Sequence, residues 1–184
     1  MELFCPICKS PLTRNDRTYR CENKHSFDIA RQGYINLLAV QQKHSLNPGD
    51  TREQVLCRRE FLESGYYKPI LDALIRTAKD IGATGPLLDV GCGEGYYASR
   101  LAAATGASLI GLDISKEAVR WAAAKYKDAL WVCGTASHLP ITEHSIGMLT
   151  SLFALTMPEE FHRVLRKDGY FFQILAAEDH FLAL

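Results

Sequence analysis

The chain has 184 residues and a formal net charge of zero, with 21 basic and 21 acidic side chains. Hydrophobic residues make up 47% and charged residues 23%, the proportions of a globular protein long enough to bury a core. No apolar run is long enough to span a bilayer, and the first residues lack the basic and apolar regions of a secretory signal. We therefore expect a globular protein of the cytoplasm, with no membrane partner.

The N-terminal segment carries a cluster of potential metal ligands. Cys5, Cys8, Cys21 and His25 follow the pattern C-x2-C-x12-C-x3-H. Two thiolates from one CxxC turn and a second pair from a distant turn make up the tetrahedral set that structural zinc prefers. A redox-active CxxC pair and chance spacing are the alternatives, but a redox pair would need neither Cys21 nor His25. The pattern predicts a small zinc-binding module over residues 1–36.

Residues 37–67 are predicted to form a connector that leads into a helix. The sequence Asn47-Pro48-Gly49-Asp50 marks a turn, since proline fixes φ and glycine allows positive φ. From Thr51 onwards the apolar spacing becomes helical, and Gly65 is expected to end this helix. A second helix is predicted over residues 68–79.

The rest of the chain alternates short apolar runs with helical patterns. The runs predicted as strands cover residues 87–90, 109–112, 130–133, 146–153 and 170–175. The segments predicted as helices between them cover residues 96–105, 115–126 and 158–165. This alternation predicts an α/β fold with a parallel sheet, and we assign residues 68–184 to that domain.

The turn after the first of these strands is rich in glycine. Gly91 and Gly93 let the backbone approach a ligand closely, and Gly95 lets the next helix pack. The spacing differs from the G-x-G-x-x-G of dinucleotide-binding proteins, and no Lys-Ser/Thr pair follows as in a P-loop. Asp113 ends the second strand, where a carboxylate can bind both ribose hydroxyls or cap the following helix.

These residues together resemble the cofactor motif of the class I S-adenosylmethionine-dependent methyltransferases. The resemblance implies a Rossmann-like methyltransferase domain in which the glycine loop lies against the methionine part of the cofactor and Asp113 holds its ribose. It places Thr135 beside the adenine, at a position where many relatives have an acid. The residues implied in cofactor binding are Asp89, Gly91, Gly93, Gly95, Asp113 and Thr135.

A closer resemblance covers nearly the whole chain. The metal-ligand cluster, HSFDIARQGYINLL (25–38) and PGDTREQVLCRREFLESGYY (48–67) are similar to segments of the large-subunit (23S) ribosomal RNA guanine-N1 methyltransferases. This similarity implies methylation of guanine N1 in a hairpin loop of ribosomal RNA, by a protein that forms a homodimer. The zinc-binding module would help to hold the RNA. The basic side chains that would meet phosphates there, or else form a solvated face, are Arg14, Arg17, Arg20 and Lys24.

The sequence departs from that family in two places. Relatives carry a Tyr/Phe-Ala-Pro-like stretch after the fourth strand, where this chain has Phe153-Ala154-Leu155. Phe153 is a candidate for stacking on a base or for the core, and no general base is assigned. Class I methyltransferases have seven strands, so we expect a C-terminally truncated domain that ends after its fifth. A small-molecule methyltransferase and a non-catalytic remnant that binds zinc, RNA or cofactor remain as alternatives.

Overall fold

The computed structural model of the chain describes residues 3–39 and 48–177. Residues 40–47, which belong to the predicted connector, lie outside this description, as do the first two residues and the segment beyond residue 177. Within the described ranges, no helix is both long enough and apolar enough to cross a bilayer.

The first part of the chain forms a small antiparallel sheet, called here the N-terminal sheet. Its strands pair in chain order, β1 (Leu3–Phe4), β2 (Pro11–Asn15), β3 (Thr18–Arg20) and β4 (Ser26–Asp28). A two-residue turn joins β2 to β3, and Asp16 adopts the left-handed conformation there with φ 52°. Short polar residues tolerate this conformation, which matches the twist of a tight hairpin.

The main sheet has six strands in the described part of the chain, and every neighbouring pair is parallel. The strand order is β10-β9-β6-β7-β8-β5. The strands are β5 (Tyr34–Asn36), β6 (Leu87–Val90), β7 (Leu109–Asp113), β8 (Leu130–Cys133), β9 (Ile146–Leu152) and β10 (Leu165–Ile174). The α/β fold with a parallel sheet is confirmed. Strand β5 is an addition at the edge, formed by residues predicted to end the zinc-binding module.

Among the described residues, five α-helices connect and cover these strands. They are α1 (Arg52–Glu63), α2 (Lys68–Asp80), α3 (Tyr96–Thr105), α4 (Lys116–Lys125) and α5 (Pro158–Val164). Helix α1 begins with a capping box, in which the Thr51 hydroxyl accepts from the Gln54 N–H and the Gln54 side chain accepts from the Thr51 N–H. The Ser115 hydroxyl accepts from the Ala118 N–H and caps α4, so local polar signals define both helix starts.

Strand β10 begins earlier than the sequence predicts. Leu165 already pairs with Ile146, and Tyr170 pairs with Met148, so the residues between Leu165 and Tyr170 form an irregularity inside the strand. The predicted start at Tyr170 was wrong, because the turn signal Lys167-Asp168-Gly169 marks a bulge and not the end of a connection.

Two hydrophobic layers flank the main sheet. One face packs against α2, α3 and α4 through buried side chains that include Leu74, Leu101 and Val119. The opposite face packs against α5 and the N-terminal sheet, with Phe161 and Leu12 in the same buried cluster as the strand residues. The N-terminal sheet therefore helps to cover the main sheet, in a position where other α/β folds place a helix.

Backbone contacts fix this docking. The N–H of Phe4 donates to the carbonyl of Pro140 over 2.9 Å, and Leu3 forms an isolated bridge with Ile141. Both Leu3 and Ile141 are buried. The metal-ligand cluster thus lies on a sheet that is attached directly to the segment between β8 and β9.

Candidate functional site

The structure brings the four predicted metal ligands together. Cys5 and Cys8 lie in the turn after β1, and Cys21 and His25 lie between β3 and β4. All four ligand atoms are within 4.8 Å of one another, with 3.7 Å between the Cys8 and Cys21 Sγ atoms and 3.4 Å between Cys21 Sγ and His25 Nδ1. Tetrahedral zinc bonded to sulfur at about 2.3 Å places neighbouring ligand atoms about 3.5–3.8 Å apart. The donor set and its spacing fit zinc.

Each pair of ligands is shaped by a tight turn. In the two turns Lys9 and Lys24 have positive φ, 63° and 65°, and their N–H groups donate to the carbonyl of the cysteine that opens the turn, over 2.9 and 3.0 Å. The pKa of the Cys8 thiol is lowered to about 5, first by a hydrogen bond with the Asn23 side chain. A lowered pKa favours the thiolate, which is the form that binds metal.

A separate cavity of about 350 Å³ opens at the carboxyl ends of β6 and β9. Gly91 and Gly93 line it from the glycine loop, and Phe153 lines it from the residue after β9. Ligands of open parallel sheets bind outside the carboxyl ends of the strands, at the point where the strand order reverses. Strand β6 lies at that point, between β9 and β7. The glycine loop therefore faces a pocket at the expected edge of the sheet.

The three glycines of the loop do different things. All have positive φ, but a Cβ at Gly93 would meet nothing within 4 Å. A Cβ at Gly91 would lie 2.5 Å from that of Ala154, and one at Gly95 would lie 2.5 Å from the Trp131 ring. Gly93 thus borders open space that a ligand can use, whereas the other two allow close packing.

Asp113 connects the glycine loop to the start of α4. Its two carboxylate oxygens accept hydrogen bonds from the N–H groups of Gly93 and Ser115, each over 2.8 Å. Burial raises the pKa of Asp113, and these two hydrogen bonds partly offset the shift. A carboxylate offers about four acceptor sites, so these two hydrogen bonds do not use all of them.

Asp89 and Thr135 lie outside the lining of the cavity. Asp89 is only 3% exposed beneath the loop, where the Thr150 hydroxyl donates to it over 2.6 Å. Burial raises the pKa of Asp89 to about 7. Thr135 follows β8, and its hydroxyl lies 2.9 Å from that of Ser137. Of the six predicted cofactor residues, Gly91 and Gly93 border the cavity directly and Asp113 bonds to the second of these.

The structure adds Tyr97 to the site. Its hydroxyl is buried beside the cavity and has no hydrogen-bond partner among the described residues, while burial raises its pKa and keeps it protonated. An unpaired buried hydroxyl costs about 1–3 kcal/mol, so the pocket favours a ligand with polar atoms. Tyr96 also lines the cavity but is 4% exposed and packs with Leu62 and Leu71. The sequence motif Tyr96-Tyr97 does not distinguish the two roles.

Two charged residues, Arg58 and Glu94, also line the cavity, and the sequence motifs do not predict this role for either. Arg58 belongs to α1 and Glu94 to the glycine loop, so they become neighbours only in the folded chain. The doublet Arg58-Arg59 inside a segment shared with relatives is the signal that could have drawn attention to the first of them.

Comparisons with known proteins identify both parts of the chain. A zinc-ribbon family described as "RlmA, N-terminal" matches residues 3–46, and a family described as "Methyltransferase domain" matches residues 88–173. The solved structure of a candidate S-adenosyl-L-methionine-dependent methyltransferase from Methanococcus maripaludis superposes with a TM-score of 0.59 at 20% identity, covering 71% of this chain and 67% of that one. That superposition supports the fold.

Two relatives are similar over almost the whole chain. A 23S rRNA (guanine(748)-N(1))-methyltransferase from Streptomyces fradiae is 38% identical over 99% of this chain and 66% of its own length. A candidate 23S rRNA (guanine-N(1)-)-methyltransferase from Micromonospora griseorubida is 36% identical over 99% of this chain and 68% of its own length. The chain thus spans about two thirds of these relatives. It belongs to the family of the 23S rRNA guanine-N1 methyltransferases, which are S-adenosylmethionine-dependent and carry an N-terminal zinc ribbon.

Proposed function

We propose that this chain transfers a methyl group from S-adenosylmethionine to N1 of a guanine in a hairpin loop of large-subunit ribosomal RNA. The observation that carries the proposal is the 38% identity to a 23S rRNA (guanine-N1) methyltransferase, which runs through the zinc ribbon and the methyltransferase domain alike. The proposal includes a cytoplasmic location and a homodimer. It retains a zinc-binding module over residues 1–36, a connector over 37–67 and a cofactor-binding domain over 68–184.

The cofactor would lie along the carboxyl edge of the main sheet. The backbone of Gly91 and Gly93 would contact its methionine part, Asp113 its ribose and Thr135 its adenine. Asp89 and Gly95 would act by shaping the loop, since hydrogen bonding and packing already engage them. When bound, the cofactor supplies an electrophilic methyl group; the protein's task is to align that group with the attacking nitrogen and exclude water.

The target base would stack on Phe153 at the mouth of the cavity. Phe153 has φ 56°, an uncommon conformation for a bulky side chain, and its N–H donates to the carbonyl of Ile174 over 2.8 Å. Its ring is stacked with that of Tyr67, with 5.7 Å between the centroids. Base pairing blocks guanine N1, so the substrate must present an unpaired guanine, as a hairpin loop does.

A basic groove supports RNA as the substrate. Arg14 and Arg17 of the N-terminal sheet line a groove of about 390 Å³ together with Arg31 and Lys127, and the acidic Asp128 also borders it. In the ranges that the structure describes, none of these four basic side chains forms an ion pair with a carboxylate. Cations without a carboxylate partner on a concave surface attract a phosphate backbone.

The test is methyl transfer from cofactor with a radioactive methyl group to hairpin RNA taken from the large subunit. We expect label in RNA with an unpaired loop guanine, and none in a matched hairpin whose guanine already carries an N1 methyl group. Label transfer that needs no RNA would contradict the proposal in favour of a small-molecule substrate. Binding of RNA and cofactor without any transfer would contradict it in favour of a non-catalytic protein.

A further inference from the structure

The cavity beside the glycine loop contains one positive and one negative side chain. Among the described residues that line it, Arg58 and Glu94 are the two that carry a formal charge. The rest of the lining is made by the glycine loop and by aromatic and aliphatic side chains. An opposite pair in apolar surroundings is the arrangement that a zwitterion requires, because each charged group then finds a partner.

We infer that Arg58 and Glu94 recognise the amino-acid end of the cofactor, with Arg58 binding its carboxylate and Glu94 its ammonium group. The inference rests on cofactor binding as proposed above, in which the methionine part lies against Gly91 and Gly93. That position places the amino-acid end in the cavity that these two charged residues also border.

The carboxylate of Glu94 is buried, which favours a cation beside it. The residue is 5% exposed, and within the described part of the chain its carboxylate has no basic side chain within ion-pair distance. Burial raises the pKa of Glu94, and a hydrogen bond from its own backbone N–H, together with the positive charges of Arg58 and Lys125, partly offsets the shift. A buried carboxylate without a basic partner is costly, so an ammonium group in the cavity would be bound favourably.

Arg58 is held at the cavity by an ion pair that leaves donors available. Its guanidinium lies 2.9 Å from the Asp50 carboxylate, and the Asp50 carbonyl accepts from the Ser115 hydroxyl over 2.7 Å. Ser115 follows β7 next to Asp113, so the segment around Asp50 links Arg58 to the proposed ribose side of the site. A guanidinium has five N–H donors, enough to bind Asp50 and a second carboxylate together.

The experiment measures binding of three nucleosides to the zinc-loaded full chain by calorimetry. S-adenosylhomocysteine carries both the carboxylate and the ammonium group, its decarboxylated analogue keeps only the ammonium group, and 5′-methylthioadenosine lacks both. The variants are Arg58→Gln and Glu94→Gln, with Arg76→Gln on the exposed side of α2 as the matched loss of one charge.

Arg58→Gln is expected to raise the Kd of S-adenosylhomocysteine by about 10- to 100-fold, as for loss of one charge-assisted hydrogen-bonded pair. The Kd values of the other two ligands should change less than about twofold. Glu94→Gln is expected to weaken the binding of S-adenosylhomocysteine and of its decarboxylated analogue alike. Arg76→Gln should leave the affinity for all three ligands unchanged. Because Arg58 is exposed, its variant tests the carboxylate half even where Glu94→Gln alters the stability of the fold.

Three results would overturn the inference: equal loss of all three ligands in Arg58→Gln, no preference of the unmodified protein for S-adenosylhomocysteine over 5′-methylthioadenosine, or no binding of any of them. The expected pattern without RNA methylation would leave the inference intact and contradict the proposed function. RNA methylation combined with unchanged ligand binding in both variants would contradict the inference and leave the proposed function intact.

Discussion

Two acidic side chains support the glycine loop, and they lie close enough to interact. Asp89 is bonded to Thr150 in the neighbouring strand, while Asp113 accepts from the loop itself. The charge of Asp113 adds to the effect of burial in raising the pKa of Asp89. The protonation of Asp89 therefore changes near neutral pH.

Asp89→Asn is expected to change how stability depends on pH. The pKa of Asp89 is about 7 in the folded chain against an ordinary 3.8, so the folded state binds this proton more tightly. The resulting stabilisation is complete below about pH 4, declines as the pH rises and is lost above about pH 7, with a steepest slope of about 1.4 kcal/mol per pH unit. The amide cannot titrate, so the variant should gain stability relative to the unmodified protein across this window.

Urea unfolding at several pH values between 4.5 and 8, at which the protein is folded before urea is added, would measure this difference in the free energy of unfolding. Asp80→Asn, at the exposed end of α2, is the control and should run parallel to the unmodified protein. Parallel curves for Asp89→Asn as well would contradict the raised pKa.

Phe153→Ala is expected to raise the KM for RNA by about 10- to 100-fold, because stacking of one base on an aromatic ring contributes about 1–3 kcal/mol. The Kd of the cofactor should change much less, and Phe153→Tyr should retain activity since it keeps the ring. Steady-state kinetics on hairpin RNA would separate the two effects. An unchanged KM with a lower Tm would show that the ring serves only to pack against Tyr67.

At the scale of elements, the glycine loop is held from two strands away. Trp131 of β8 is buried, and its ring lies against both Gly95, before α3, and Gly111, within β7. Its indole N–H donates to the carbonyl of Tyr126 over 2.8 Å. The position of the loop thus depends on a large side chain packed against two glycines.

Gly93→Ala and Gly95→Ala form a matched pair. Both residues have positive φ, so each variant should lose about 1 kcal/mol or more from backbone strain. Gly95→Ala also forces a Cβ against the Trp131 ring and is expected to lose a further 1–3 kcal/mol or so. Gly93→Ala should instead weaken cofactor binding more than stability, since its Cβ enters the cavity. Equal stability of the two variants in thermal unfolding would contradict the assigned packing role.

The helices and most strands of the main sheet are local features, and the sequence predicts them for that reason. Apolar spacing, the Ser115 cap and the turn glycines act within a few residues, and the structure places the elements within one or two residues of the predicted ends, apart from the start of β10. Strand β5 has three residues and gains its identity only from pairing with β8. No local sequence pattern predicts such a strand, because its hydrogen bonds depend on distant residues.

The candidate sites also divide into residues that local sequence predicts and residues that only the folded chain brings together. Sequence spacing predicts the metal ligands as a set, since the CxxC turn and the Cys21–His25 pair each lie within one short segment. It also predicts the glycine loop and Asp113. The cavity charges at Arg58 and Glu94 were missed because they meet only through packing of α1 against the main domain. Sites formed within a turn are readable from sequence, whereas sites formed between elements are not.

At the scale of the whole molecule, the metal cluster and the main sheet share a hydrophobic core. Cys5 and Cys21 are buried in the same cluster as Leu88 and Val90 of the central strand. The N-terminal sheet is too small to fold on its own apolar area, which is why such units depend on a metal. Folding around the metal-ligand cluster should therefore be coupled to the stability of the methyltransferase domain.

Removal of zinc by a chelator is expected to lower the Tm of the whole chain and to weaken cofactor binding, since one face of the main sheet loses its cover. Cys21→Ser should reproduce the effect, and Cys57→Ser, on the exposed side of α1, should not. Calorimetric unfolding and cofactor titration would measure both. A separate low-temperature transition with unchanged cofactor affinity would show that the two parts are independent.

The pairing of β5 with β8 has a consequence for how the nascent chain assembles. Tyr34 lies beside Trp131 in the finished sheet, roughly a hundred positions further along, and such distant parallel pairing is slow to form. All four metal ligands leave the ribosome within the first 25 residues, so the metal can bind early. The segment around Pro140 and Ile141, which receives the N-terminal sheet, is translated much later, so docking of this sheet has to wait for that segment.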